Sequence, residues 1–94
     1  MNIQQLEYIL AVDKYRHFAK AAEACHVTQP TLSMMIQKLE EAYQLKIFDR
    51  SRHPVVPTEV GEKLLAQARI ILNEVERFSE IVDRTKNEME GELK

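Results

Sequence analysis

The sequence predicts a mainly α fold: a winged helix-turn-helix of three helices and a short β-hairpin wing, followed by one long linker helix suited to dimerisation. Three observations carry this. Residues 17–40, HFAKAAEACHVTQPTLSMMIQKLE, place Phe18, Ala21, Ala22 and Cys25 at helical spacing, and after a short break Leu32, Met35, Ile36 and Leu39 repeat it. Residues 45–57 hold two brief extended runs about the polar turn Ser51-Arg52-His53-Pro54. From Thr58 to about Glu90 no proline interrupts an apolar repeat stepping by three and four. Residues 1–57 are therefore read as the winged domain, 58–90 as the linker and dimerisation helix, and 91–94, opened by Gly91, as a stop and the start of a hinge.

The first helix starts at Asn2, which caps it with Gln5 answering at N3, and runs to about Tyr15 with Ile3, Leu6, Ile9, Leu10 and Val12 as its apolar side. Lys14, Arg16, His17 and Lys20 cluster at the next junction, either as backbone-phosphate contacts or as a solvated helix end. In the motif, Ala21 and Ala22 are small enough for a close, steep crossing near the turn. Thr28 or Gln29 is placed to cap the second motif helix, and Pro30 suits its first turn, where no donor is needed. With Leu32, Met35, Ile36 and Leu39 turned inward, the opposite face presents Pro30, Thr31, Ser33, Met34 and Gln37. Such a face offers donors and acceptors and brings no acid toward phosphate, as entry into a major groove requires.

Past Glu41 the helical pattern ends near Ala42-Tyr43-Gln44, and Leu45–Arg50 and Val55–Pro57 become the two arms of the hairpin, with Phe48 as its anchor to the core. Arg52 at the tip has the reach and fixed charge to enter a minor groove or grip phosphate; His53 beside it serves the same end or is a solvated turn residue. In the long helix Thr58 caps, Glu59 and Glu62 suit the N-terminal dipole, and Gly61, Leu64, Ala68, Ile71, Val75, Phe78, Val82, Thr85 and Met89 form a heptad seam. Val60, Leu65, Leu72 and Ile81 lie to one side, so one face can pack on its own domain while the seam pairs with a second copy.

Charge supports this division. The net charge of −2 splits into −2 over residues 1–13, +3 over residues 14–53 and −3 over residues 54–94, so the basic excess sits on the motif and the wing. With 94 residues and 45% hydrophobic content there is one small domain, no apolar run long enough to span a membrane and no signal-peptide pattern at the start, which predicts a cytoplasmic protein. The single cysteine, Cys25, lies on the inward stripe and is read as a packing residue; His17, Cys25, His26 and His53 lack metal-ligand spacing, so neither metal nor cofactor is expected. Paired carboxylates, a nucleophile with its base and a phosphate loop are all missing, which argues against an enzyme. The competing reading is a winged-helix protein-interaction module without DNA specificity.

Leu6, Phe18, Ala21-Ala22, Gln29-Pro30, Ser33, Leu39-Glu40, Phe48, Arg50, Thr58-Glu59 and Gly61, in this order, resemble the N-terminal domain of LysR-type transcriptional regulators over essentially the whole chain. Tyr15-Arg16-His17-Phe18, Cys25-His26-Val27 and Gln29-Pro30-Thr31-Leu32-Ser33 are most similar to the peroxide-responsive OxyR branch. The resemblance implies a homodimer with antiparallel long helices, able to form a tetramer with an effector domain, and binding an interrupted inverted repeat in double-stranded DNA. It implies base-edge and nearby backbone contacts from Gln29, Pro30, Thr31, Ser33, Met34 and Gln37, wing contacts from Arg50, Arg52 and His53, and a dimer interface on Leu64, Ala68, Ile71, Val75, Phe78 and Val82. The effector domain, with any peroxide-reactive cysteines, would lie beyond these residues. Met34 stands where many relatives carry arginine, and apolar contact with a thymine methyl would replace a charged one. Gln44 stands where glycine usually ends the second motif helix, so either Gln44 turns left-handed or the helix ends differently.

Overall fold

The structure, a computed structural model, describes Met1 to Glu92: α1 (Ile3–Tyr15), α2 (Phe18–Ala24), α3 (Gln29–Tyr43), β1 (Phe48–Asp49), β2 (Val56–Pro57) and α4 (Glu59–Glu92). Asn2 opens α1 with a full capping box: its side chain accepts from the Gln5 amide at 2.9 Å while Gln5 Oε1 accepts from the Asn2 amide at 3.0 Å. Gln5 does more than cap. It is buried, and its Nε2 donates to the Met35 carbonyl at 3.1 Å, joining α1 to α3.

Of the residues the periodicity marks, Leu6, Ile9 and Val12 from α1, Ala21 and Ala22 from α2, and Leu32, Ile36 and Leu39 from α3 form the core together with Tyr8. Leu10, Phe18, Cys25 and Met35 are only partly buried, and Ile3 is exposed. Ile47, Phe48 and Val55 close the core from the wing side, and Leu65 and Ala68 from α4. Phe48 anchors the wing as expected, buried edge-on against Phe18 at a centroid distance of 6.3 Å.

Each of the first three helices is ended by a left-handed residue that is not glycine. Arg16 (φ 53°) follows α1, His26 (φ 59°) lies in the motif turn, and Gln44 (φ 54°, ψ 46°) follows α3. The bonds explain why they hold: Val27 N donates to the Ala22 carbonyl and His26 N to that of Glu23, while Leu45 N donates to Glu40 and Gln44 N to Glu41. Both are Schellman closures, which satisfy carbonyls that a straight helix end would leave open. Of the two possibilities for Gln44, the left-handed turn is the one adopted.

The wing is shorter than its two extended runs. Only Phe48↔Pro57 and Asp49↔Val56 pair, antiparallel. The Thr58 amide still donates in register to the Ile47 carbonyl, but the Ile47 amide that would answer it is taken by the Glu40 side chain, which also receives the Phe48 amide, so the ladder closes there. Thr58 then starts α4, its hydroxyl accepting from the Gly61 amide at 2.9 Å and donating to the Lys46 carbonyl at 2.6 Å. Gly61 is buried where a Cβ would overlap the Ile47 carbonyl oxygen, so only glycine lets α4 approach the wing root this closely.

Among the described residues α4 does not stop at Gly91 but continues to Glu92. A helical glycine costs only about 1 kcal/mol, and no left-handed turn forms there to end the ladder. Leu93 and Lys94, the last of the expected hinge, lie outside the described residues. Asp13 fixes the start of α4 from the side: its carboxylate receives Arg69 at 2.6 Å and Arg16 at 3.0 Å. The helix then runs free of the domain, and the molecule measures 60 × 24 × 20 Å.

Two substitutions test the backbone argument in opposite directions. Gln44→Gly relieves a left-handed side chain at an exposed position and should stabilise by about 1 kcal/mol. Gly61→Ala should destabilise by several times that, because the obstacle is backbone and cannot swing away. Thermal melts of both variants check this, and a Gly61→Ala protein melting with the wild type would refute the close approach.

Candidate nucleic-acid interface

The exposed face of α3 is built from its first turn. Thr28 caps, accepting from the Thr31 amide at 3.4 Å and donating its hydroxyl to Thr31 Oγ1 at 2.9 Å. Gln29, Pro30, Thr31, Met34 and Gln37 are exposed, and Met34 keeps 49% of its surface open. Leu32, Ile36 and Leu39 are buried on the other side, with Met35 half-buried. Ser33 sits between the two faces, half-buried, because Arg50 lies over it.

Arg50, read from the sequence as a wing contact, leaves β1 and turns back onto the helices. Its Nη1 donates to Ser33 Oγ at 2.6 Å, its Nη2 lies 3.6 Å from Glu40 Oε1, and its guanidinium stacks 4.6 Å over the Phe18 ring. Glu40 is the residue that sequence reasoning left without a role. It is 2% exposed, and Oε2 accepts from the Ile47 amide at 2.7 Å and the Phe48 amide at 3.4 Å while Oε1 faces Arg50. Its signals in the sequence are its place in the Leu39-Glu40 pair of the family resemblance and its position seven residues after Ser33, just before a loop.

Arg52 and His53 reach furthest out. Arg52 is exposed and lies 3.6 Å from the Asp49 carboxylate in its own hairpin. The Ser51 hydroxyl and amide, then Arg52, hold that carboxyl below its ordinary range. His53 is exposed beside it. Between this tip, the start of α2 and the start of α3 runs a cleft of about 600 Å³, lined by His17, Lys20, Gln29, Arg50 and His53 among others. The structure thus brings together residues from three separated stretches. The junction cluster, by contrast, divides: Arg16, His17 and Lys20 line the cleft, Arg16 also paired with Asp13 and His17 also capping α2, while Lys14 lies over the Tyr15 ring.

Cys25 is half-buried at the end of α2, packed against the core, and burial, then Glu7, push its thiol pKa up. Along α4 the seam residues fare differently. Ala68 is 1% exposed in the chain's own core, and Leu64 and Ile71 are half-buried at its edge. This corrects the expected interface: Ala68 is used up by its own domain, since the seam's first turns cross α1. Val75, Phe78 and Val82 are exposed, and so is Ile70. An apolar groove of about 380 Å³, bordered by Met1, Tyr43, Leu45, Leu64 and Ile71, leads into this stripe.

This arrangement, two motif helices with a polar outer face, a basic wing beside it and a long projecting helix, defines a winged helix-turn-helix with a linker helix. The family model for bacterial regulatory helix-turn-helix proteins of the lysR family matches residues 3–62, and the chain belongs to that family. Similar proteins include the DNA-binding transcriptional dual regulator OxyR of Escherichia coli K12, 42% identical over 93 residues, which are 99% of this chain and 30% of that protein. The hydrogen peroxide-inducible genes activator of Pectobacterium carotovorum is likewise 42% identical, over 99% of this chain and 31% of its own length. The chain therefore spans under a third of these curated relatives. Among solved structures, the BenM DNA-binding domain in complex with benA site 1 DNA superposes with a TM-score of 0.86 at 32% identity, covering 89% of this chain and 94% of that one. A full-length OxyR variant from Pseudomonas aeruginosa gives 0.84 at 41% identity, covering 88% and 28%.

Proposed function

We propose that this chain is the DNA-binding part of a transcription regulator, reading an inverted-repeat operator in double-stranded DNA as a homodimer. The observation that carries it is the polar outer face that Gln29 to Gln37 present on α3, free of acid, beside a wing that carries Arg52. Support comes from relatives of the same fold whose structures hold DNA, which disfavours a protein-interaction module. In this reading Gln29, Pro30, Thr31, Ser33, Met34 and Gln37 meet base edges and the nearby backbone, Arg52 and His53 meet backbone from the wing, and Arg50 works at their junction. The site of action is the bacterial cytoplasm, where such operators lie; among the described residues no helix is long and apolar enough to cross a membrane.

Dimerisation would use the free part of α4. The stripe Ile71, Val75, Phe78 and Val82, with Leu64 at its head, continues from the apolar groove, and a second copy running antiparallel would lay its own stripe along both. Phe78, 71% exposed, is the largest side chain such a partner would cover. Phe78→Glu should yield monomers in sedimentation at tens of micromolar, while a wild-type chain that is itself monomeric there would refute the pairing.

Specificity and affinity should separate by element. Gln29→Ala removes a base-edge partner worth about 1 to 3 kcal/mol and should reduce discrimination between the operator and scrambled duplex. Arg52→Ala should weaken both duplexes alike and flatten the salt dependence by about one unit. Binding of both variants to a duplex enriched from a random library, and to its scramble, across a salt series, tests this. Equal loss on the two duplexes for Gln29→Ala would contradict the assignment of base reading to α3.

A further inference from the structure

We propose that Arg50 is a positioning residue that acts through Ser33, holding the serine hydroxyl on the DNA-facing side of α3 as a hydrogen-bond donor and making no phosphate contact of its own. This rests on the DNA-binding reading above. The guanidinium is held on three sides, by Ser33 Oγ at 2.6 Å, by Glu40 Oε1 at 3.6 Å and by the Phe18 ring at 4.6 Å, and Nη2 approaches the Ser33 carbonyl at 3.5 Å. Glu40 is itself fixed by the two wing-root amides it accepts from. An arginine seated in this way is a fixed part of the framework and is poorly placed to follow a phosphate.

The consequence falls on Ser33. A serine inside a helix commonly donates its hydroxyl back to the carbonyl four residues earlier, as Thr85 does to Ile81 at 2.8 Å. Among the described residues Ser33 makes no such bond; instead its oxygen accepts from Arg50. The O–H is then left to donate, and the adjacent positive charge polarises it and repels an incoming donor. Ser33 is thereby set to prefer an acceptor, a purine N7, a guanine O6 or a thymine O4, over the amino groups of adenine and cytosine. A lone serine would accept either.

A double-mutant cycle on the chain tests this, with the library-enriched duplex and its scramble as probes. Ser33→Ala and Arg50→Gln should each lower the ratio of the two affinities by about tenfold. The double variant should lose no more than either single one, and Arg50→Gln should leave the salt slope at the wild-type value. Arg50→Lys keeps charge and reach without the planar fork, and should melt near the wild type yet lose the same discrimination. A slope that falls by about 0.9 in Arg50→Gln means a direct phosphate contact and overturns the proposal. So do losses that add in the double variant, an Arg50→Lys protein as selective as wild type, or a Ser33→Ala protein that weakens both duplexes equally. A wild-type chain that enriches no duplex ends the DNA-binding reading itself, a result distinguishable from all of these.

Discussion

The buried carboxylate of Glu40 is the interaction on which the rest of the arrangement depends. One side chain near the end of α3 accepts from two consecutive amides at the wing root and faces the arginine that returns from β1. A buried carboxylate is tolerable only when its oxygens are fully used, and buried amides are tolerable only when paired, so each settles the cost of the other. Breaking the set would leave two buried donors open at about 1 to 3 kcal/mol each. That penalty gives the wing a single seat on α3, which two-residue strands could not secure alone.

The position of α4 follows from the same root. The Ile47 carbonyl accepts from the Thr58 amide, and Gly61 passes directly over it, so the long helix leaves the domain in a direction set by the wing. Asp13 adds a second fixed point one face away through Arg69. The two elements that would meet DNA and the helix that would pair with a second copy are thus joined through a short stretch of backbone, Lys46 to Phe48. Spacing between two reading helices in a dimer would be determined by this joint more than by the wing tip or the free end of α4.

Much of this was legible in the residues. The capping box at Asn2, the inward stripes of α2 and α3, the Thr58 cap and the Phe48 anchor are local patterns, and local patterns carry their own physics. What escaped was the long-range polar bonding: Gln5 to Met35, Asp13 to Arg69 and Glu40 to the wing root join residues with no periodic relation. Left-handed closures at Arg16 and His26 escaped for a different reason, since the usual marker is glycine and these positions carry large side chains. At the interface, Gln29 and His53 could be named, but their meeting across one cleft with His17 and Lys20 depends on the crossing of three segments. The heptad reading of α4 erred at Ala68 because periodicity marks an apolar stripe without saying which neighbour covers it.

Amide hydrogen exchange of the free chain, resolved residue by residue, tests the central claim that Glu40 seats the wing on α3 as one rigid unit. The account predicts that the Ile47 and Phe48 amides exchange as slowly as that of Leu39 in the core of α3, although they belong to a loop and a two-residue strand. Exchange of Ile47 and Phe48 at the rate of the exposed Ser51–His53 turn would contradict it.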